Sequence, residues 1–568
     1  MTHEKQHPIL LDYVRQYPLP HGVRFTYGTA GFRSEGSILA STVFRAGILA
    51  ALRSLKTGST VGLMLTASHN PISDNGVKIA DPDGGMMIQQ WEPFADALVN
   101  APDPEHLLQV SALFHCTLLV IQFVKEENIP FGGGQSANIL LGRDTRPSGD
   151  ALLEAAKQGI NSVVGAFAID MGILTTPQLH WMVRNINKGT RSSESDYMEQ
   201  LAKSFRCLVD LAPDNTMESK LVVDGANGVG GEKLQQLKKI LSGLDICVRN
   251  TGKEGEGLLN EGCGADYVQK EKAIPSSFGL DDVGMKCASL DGDGDRLVYF
   301  IPSASSNNVD LVDGDKILTL FALFIKEQLD FLCNEQGFDN KEAVSLGVVQ
   351  TAYANGASTA YLKKLGLEVV LAPTGVKYLH KEAATFDVGI YFEANGHGTI
   401  LFSEKFLSHL QARSDELSST ASGSESHKSG LRLLEVSRLI NQAVGDALSG
   451  LLLVEAVLQY KGWSIKAWNE LYQDLPSRQL KAKVADRNAV VTANAETKVV
   501  KPPGLQELID EETAKYPCGR CFVRPSGTED VVRVYAEAST QEAADSLAQS
   551  AVQLVDRFLG FAGSHQKA

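Results

Sequence analysis

The stretch Asp291-Gly-Asp-Gly-Asp-Arg296 places three carboxylates at alternate positions between two apolar, strand-like runs, GMKCASL and LVYFI. Carboxylates spaced this way in a glycine-opened loop can converge on one hard cation, and an all-oxygen donor set favours Mg²⁺ or Ca²⁺ over zinc. An EF-hand loop would need glycine and glutamate where Arg296 and Pro302 stand, so that reading is excluded. A second candidate is Ser68 in MLTASHNP, at the end of the run TVGLML and just before the Asn70-Pro71 turn. It lacks the flanking glycines of a hydrolase elbow, and taken alone it reads as a turn serine. RPSGTED, residues 524–530, followed by Arg533, can present the backbone amides of Ser526, Gly527 and Thr528 and two guanidiniums to a phosphate. EANGHG, residues 393–398, offers an acceptor, an amide and an imidazole from Glu393, Asn395 and His397, a set suited to vicinal hydroxyls. Singly, these last two are ordinary hairpin or polar loops; together, the four describe phosphoryl transfer on a sugar phosphate.

The elements that must carry these residues alternate between apolar strand-like runs and helical patterns, the mark of α/β domains. One such unit holds TVGLMLTA and ANILLGRDTRPSG, and a second begins at KLVVDGANGVGGEKLQQLKKI. A third runs from DGDKILTLFALFIKEQL to FDVGIYFEANGHG. After about residue 465 the texture shifts to α+β, with two strands around RPSGTED and an amphipathic helix from Thr540 as N-cap to Gly560. The expected domains are 1–200, 201–302, 303–464 and 465–568. Residues 412–430, rich in serine and charge, read as a mobile surface insertion. DGANGVGGEK fails the dinucleotide pattern because Lys233 stands where the third glycine belongs, and no phosphate-binding G-x-x-x-x-G-K-[ST] loop occurs. Neither NAD nor ATP is indicated.

The 568 residues carry 53 Lys+Arg against 68 Asp+Glu, a net charge of −15 that argues against a broad nucleic-acid footprint. Eight scattered cysteines form no disulfide framework, and the single C-x-x-C, Cys518 to Cys521, has no second pair or histidine partner for a zinc site. The amino-terminal residues do not follow a signal-peptide pattern, and the most apolar run, ALFHCTLLVIQFV, is short for a membrane span and contains His115 and Gln122. These features predict a cytoplasmic protein with no membrane or nucleic-acid partner, and they point to no protein partner.

With these motifs in order between residues 28 and 533, the chain resembles the α-D-phosphohexomutases and is most similar to their eukaryotic phosphoacetylglucosamine branch. The resemblance implies an α/β fold of three consecutive mixed-sheet domains plus a smaller C-terminal α+β domain around a central cleft. It implies that Ser68 carries a covalent phosphate, that one Mg²⁺ is held by that phosphate with Asp291, Asp293 and Asp295, and that a sugar bisphosphate serves as activator. Arg33 of GTAGFR, His69, Lys78 of NGVK and Arg296 would belong to the catalytic centre. Glu393, Asn395 and His397, with Thr374 and Gly375 of PTGVK, would read the sugar, and Arg524, Ser526, Gly527, Thr528 and Arg533 would hold the non-reacting phosphate. A phosphoserine facing three carboxylates would meet repulsion of roughly 4 kcal/mol per charge pair at 4 Å, so a divalent cation is required there. Lys78, Arg33 and His69 are equal candidates for the base.

The expected activity is interconversion of N-acetylglucosamine 6-phosphate and 1-phosphate for UDP-sugar synthesis. The alternatives are a mutase of glucose, mannose or glucosamine phosphate, a phosphatase, or a non-catalytic sugar-phosphate-binding protein. One departure from the superfamily stands out. A GRDTR-like strand usually precedes the serine loop, whereas here Gly142–Arg146 follow it by some seventy residues.

Overall fold

A computed structural model describes residues 15–101, 119–130, 134–213, 220–304, 307–334, 344–420, 422–526 and 530–560. They fall into two compact units, one of Met1–Asp313 with Glu435–Gly462 and one of Gly314–Leu434 with Trp463–Ala568. The first unit contains two five-stranded mixed sheets. In the first sheet, β1 (Phe32–Glu35), β2 (Val61–Leu65), β3 (Asp74–Ala80), β4 (Ala137–Arg143) and β5 (Ala166–Ile173) lie in the order β1-β3-β2-β4-β5. In the second, β6 (Lys220–Asp224), β7 (Asp245–Arg249), β8 (Cys287–Leu290), β9 (Leu297–Pro302) and β10 (Val309–Val312) lie in the order β10-β9-β8-β6-β7.

The second unit repeats the plan with β11 (Leu346–Thr351), β12 (Glu368–Ala372), β13 (Val388–Phe392) and β14 (Gly398–Phe402), in the order β12-β11-β13-β14. Its C-terminal part is a three-stranded antiparallel sheet of β15 (Ser477–Lys483), β18 (Arg520–Pro525) and β19 (Val531–Glu537), beside the small hairpin of β16 (Val491–Ala493) and β17 (Lys498–Lys501). Helices Leu505–Thr513 and Gln541–Leu559 pack on this sheet, and Leu505, Ile509, Leu547 and Val555 join Val523, Val532 and Val534 in one core. The Thr540 side chain caps the last helix by accepting from the Ala543 amide at 3.2 Å.

The three mixed sheets share one rule. Each has a strand paired in parallel on one side and through an antiparallel hairpin on the other: β2 between β4 and β3, β8 between β6 and β9, β13 between β11 and β14. The turns of these hairpins hold the MLTASHNP, DGDGDR and EANGHG motifs respectively. Chain direction and hairpin pairing differ on the two sides of such a strand, so its carboxyl end opens a crevice where ligands collect. The displaced GRDTR strand obeys the same rule: β4 follows β2 in sequence yet lies parallel beside it, in register from Val61↔Ile139 to Leu65↔Arg143.

One expectation is corrected. Residues 412–430 are not an unstructured insertion, for helices Glu404–Thr420 and Glu425–Leu439 run through them. Phe406, Leu410, Ser414 and Leu417 form a buried helical stripe, and the buried Ser429 hydroxyl donates to Gln328 at 3.0 Å. Serines on the inner face imitate a polar linker in composition while keeping helical periodicity. Among the described residues no helix is long and apolar enough to cross a membrane.

Candidate active site

In the first unit, β2 delivers Ser68 into a left-handed backbone conformation with φ 51°. The side chain is buried, and its hydroxyl donates to the Asp291 carboxylate at 2.5 Å across 223 residues of sequence. A buried network holds this strained turn. The Thr66 hydroxyl donates to Asp144 at 2.7 Å and accepts from the Ser68 amide at 3.0 Å. Arg146 is paired with Asp144 at 3.0 Å, and its guanidinium donates to the Ser68 carbonyl at 2.8 Å, the Asn70 carbonyl at 3.0 Å, the Asp74 carbonyl at 2.8 Å and the Pro71 carbonyl. From the second sheet's side, Asn260 donates to the same Ser68 and Asn70 carbonyls at 2.8 and 3.1 Å.

Asp291, Asp293 and Asp295 are all buried, and each offers a carboxylate oxygen within 4.8 Å of the others. Two glycine-dependent approaches shape the loop. A Cβ on Gly292 would stand 2.6 Å from the Ser68 carbonyl oxygen, and one on Gly228 would stand 2.4 Å from the Gly292 oxygen. Gly228 opens the helix Val229–Lys238, whose first amide donates to Gly292 O at 3.1 Å, so the glycine-rich turn of DGANGVGG seats the aspartate loop. The amide of Ala447 supports the loop from a third side through Gly294 O at 3.0 Å.

The electrostatics follow from crowding. Burial, then Asp295 and Asp293, push the Asp291 carboxyl well above its usual range. Asp293, despite burial and Asp295, is held below it by Lys78, Thr176 and Arg33. The Lys78 ammonium lies 3.3 Å from Asp293 and 3.6 Å from Asp295, and the Thr176 hydroxyl donates to Asp293 at 2.7 Å. Asp293 Oδ1 is buried with no hydrogen-bond partner. Three clustered, buried carboxylates with such an oxygen fit a hard divalent cation, which would supply the missing positive charge.

Arg296 pairs with Asp266 at 3.1 Å. His69 is held at about 3 by burial first, then by Arg296, against the opposing pull of Asp266. Burial also lowers the Arg33 guanidinium, whose Nε has no partner. Ser68, Lys78 and the three aspartates are therefore brought together, with Arg33, His69 and Arg296 within their electrostatic reach.

The second unit holds the residues that the sequence assigns to sugar and phosphate recognition. In the β13–β14 hairpin, the Asn395 side chain accepts from the His397 amide at 2.9 Å and donates to Glu393 at 3.3 Å, while the Glu393 amide donates to the His397 carbonyl at 2.9 Å. Thr374 and Gly375 form the turn before helix Val376–Ala383, and the Thr374 hydroxyl is buried without a hydrogen-bond partner. Arg524 and Arg533 are direct cross-strand partners on β18 and β19. Like charges placed opposite each other in a sheet repel unless anions accompany them; Glu496 lies 3.3 Å from Arg524, and the buried Ser526 follows at the strand end. Gly527 and Thr528 lie outside the described residues. Sequence reasoning missed Asp144 and Arg146 as braces, and also Thr176, Asn260, Asp266 and Glu496; only GRDTR offered a signal.

Four family models match the chain. They are Phosphoacetylglucosamine mutase AMG1 domain II at residues 191–298 and domain III at 313–463, and the phosphoglucomutase/phosphomannomutase domain I at 46–102 and 108–191 and C-terminal domain at 479–554. The phosphoacetylglucosamine mutase of Oryza sativa subsp. japonica is 63% identical over 549 residues, covering 95% of each chain. That of Homo sapiens is 42% identical, covering 98% of each. A crystal structure of Aspergillus fumigatus N-acetylphosphoglucosamine mutase in complex with GlcNAc-6P and magnesium superposes with a TM-score of 0.86 at 42% identity, covering 97% of this chain and 98% of that one. Another structure of the fungal enzyme, with the same TM-score of 0.86 and 42% identity over 98% of this chain and 99% of that one, contains glucose 1,6-bisphosphate.

Proposed function

This chain belongs to the phosphoacetylglucosamine mutase family, and we propose that it interconverts N-acetylglucosamine 6-phosphate and N-acetylglucosamine 1-phosphate through a phosphorylated Ser68. The observation that carries this reading is the 2.5 Å contact between Ser68 Oγ and Asp291 inside a buried three-carboxylate cluster. A hydroxyl placed there is poised to exchange a phosphoryl group beside a cation, which supports phosphoryl transfer over the binding-protein alternative, while the preference for the acetamido sugar over glucose, mannose or glucosamine phosphate is supported by the family the chain belongs to.

Ser68 gives its phosphoryl group to the free hydroxyl of the bound sugar phosphate, making a bisphosphate, and after the sugar turns end for end it takes back the other phosphoryl group. Arg146 and Asn260 hold the Ser68 carbonyl, and so the strained turn, through both transfers. Asp291, Asp293 and Asp295 with the seryl phosphate would hold one Mg²⁺, which supplies charge neutralisation and stabilises the seryl alkoxide. The proton acceptor is one of Lys78, Arg33 and His69; Lys78 is paired with Asp293 and Asp295, and burial keeps the His69 imidazole neutral. Arg296 pairs with Asp266, and the two act on His69 with opposing charge.

Glu393, Asn395 and His397 with Thr374 and Gly375 read the sugar, while Arg524, Ser526, Arg533 and the Gly527-Thr528 segment hold the non-reacting phosphate. A cradle that reads only charge accepts a phosphate on either carbon. The four-domain division at 200, 302 and 464 belongs to the same reading, supported by the spans of the matched families. So does a cytoplasmic location, supported by six described cysteines that are free thiols.

The test is side-by-side kcat/KM on the N-acetylglucosamine, glucosamine and glucose phosphates, each primed with its own bisphosphate. The acetamido sugar is expected to lead by at least about tenfold, because an unfilled polar subsite costs roughly 1–3 kcal/mol. A lead for glucose phosphate would overturn the substrate assignment.

A further inference from the structure

Glu496 sits in the turn between β16 and β17, outside every motif that the sequence offers. Its backbone is left-handed at φ 66°, the third such residue in a row after Asn494 at 51° and Ala495 at 53°. A non-glycine residue held in this region is strained, and strain of this kind gathers where a side chain must be aimed. The side chain is aimed at two recognition elements at once. One carboxylate oxygen lies 3.3 Å from Arg524 Nη1, and the other accepts the Thr374 amide at 2.9 Å. The pair is largely shielded, with 14% of the arginine side chain and 20% of the glutamate exposed. Arg524 is held on its other edge by the Tyr353 hydroxyl, 3.1 Å from Nε, with the guanidinium 5.4 Å from the ring centre. One guanidinium nitrogen, Nη1, is therefore engaged by a carboxylate at 3.3 Å, with the Pro525 carbonyl at 3.4 Å from the same nitrogen.

We propose that Glu496 is a built-in competitor for the substrate's non-reacting phosphate. It holds Arg524 in the phosphate's place, gives it up when the phosphate binds, and through the same carboxylate ties occupancy of the cradle to the Thr374-Gly375 turn that reads the sugar. This rests on the assignment of Arg524 to the substrate phosphate. A phosphate dianion and a carboxylate cannot share one guanidinium edge without like-charge repulsion, and a mutase has use for that penalty. The bisphosphate must leave the cradle between the two transfers, and a ready internal anion lowers the barrier to its release.

The experiment measures equilibrium binding of N-acetylglucosamine 6-phosphate by calorimetry in the full-length chain, with Ser68→Ala as background so that nothing turns over. Glu496→Gln keeps an oxygen for the Thr374 amide while removing the charge, and it is expected to bind about tenfold tighter. Glu496→Ala, which places no amide beside Arg524, should tighten binding of inorganic phosphate in the same direction. Arg524→Ala should weaken sugar-phosphate binding at least about tenfold. A merely structural glutamate would leave affinity unchanged or lower it. Unchanged or weaker binding in both Glu496 variants, with Arg524→Ala weakened, overturns the competitor and leaves the cradle standing. Unchanged binding in Arg524→Ala removes the cradle itself, and the competitor with it.

Discussion

The serine and aspartate hairpins of the first unit lock onto each other, whereas the sugar-reading hairpin of the second unit closes on itself. In the first, Gly292 lies against the Ser68 carbonyl, Asn260 donates to that same carbonyl, and Lys78 reaches from β3 to the aspartates. In the second, Asn395 satisfies the Glu393–His397 turn with its own side chain, and Arg524 is tied by the Glu496 side chain. Backbone packed on backbone cannot yield without shifting whole strands, while side-chain ties exchange partners at little cost. On the proposed mechanism, the half that transfers the phosphoryl group is thus rigid where an atom must be placed, and the half that reads the sugar is adaptable where two orientations must be bound.

The sharpest break of that contrast is Gly292→Ala. It removes no chemical group, yet its Cβ would meet the Ser68 carbonyl at 2.6 Å and Asn260 at 2.9 Å. A displacement approaching 1 Å between carrier and cation site should lower kcat by about 100-fold with KM little changed. Steady-state kinetics at saturating bisphosphate reads this, and a kcat within threefold of wild type would show that the two hairpins tolerate play.

The complementary change is Asn395→Ala, which opens the self-closed hairpin. Its expected effect is a rise in KM of about tenfold with kcat within a few-fold, since it removes binding felt equally in ground and transition states. A large fall in kcat at unchanged KM would place that hairpin in the chemistry.

How much of this was legible in the sequence follows the same division. The motifs that bear chemistry are short and local, so DGDGDR, MLTASHNP, EANGHG and RPSGTED could be read directly. The residues that aim them could not. Asn260 acts on Ser68 across 192 positions and Glu496 on Thr374 across 122, each through a backbone atom that leaves no trace in the side-chain pattern. The strand carrying Asp144 and Arg146 was visible as an apolar run out of its customary order, and only parallel pairing of β4 with β2 shows why the order does not matter. Serines buried on helices at 412–430 misled because composition reports polarity and not which face a residue occupies.

A smaller effect tests the rigidity of the first unit through pH. His180 is buried and donates from Nδ1 to the Gly84 carbonyl at 2.6 Å. Burial first, then Lys78, lowers it from 6.5 to about 4. Below pH 6.5 the unfolded chain takes up a proton that the folded chain refuses, so this contribution is fully present above 6.5 and is lost as pH falls toward 4. The loss is at most on the order of 3 kcal/mol. Urea midpoints at pH 7 and pH 5 should differ less in His180→Gln than in wild type, and an equal difference would show that another group carries the dependence.

The claim on which the rest depends is that Ser68 carries the phosphoryl group. Intact-mass measurement with peptide mapping, after incubation with a hexose bisphosphate and again after chase with N-acetylglucosamine 6-phosphate, tests it directly. One phosphate on Ser68 that is discharged into the sugar during the chase, and is absent from an inactive Ser68→Ala variant, is the predicted result. Turnover by the wild type with no phosphate ever found on Ser68, or mutase activity retained in Ser68→Ala, would contradict it.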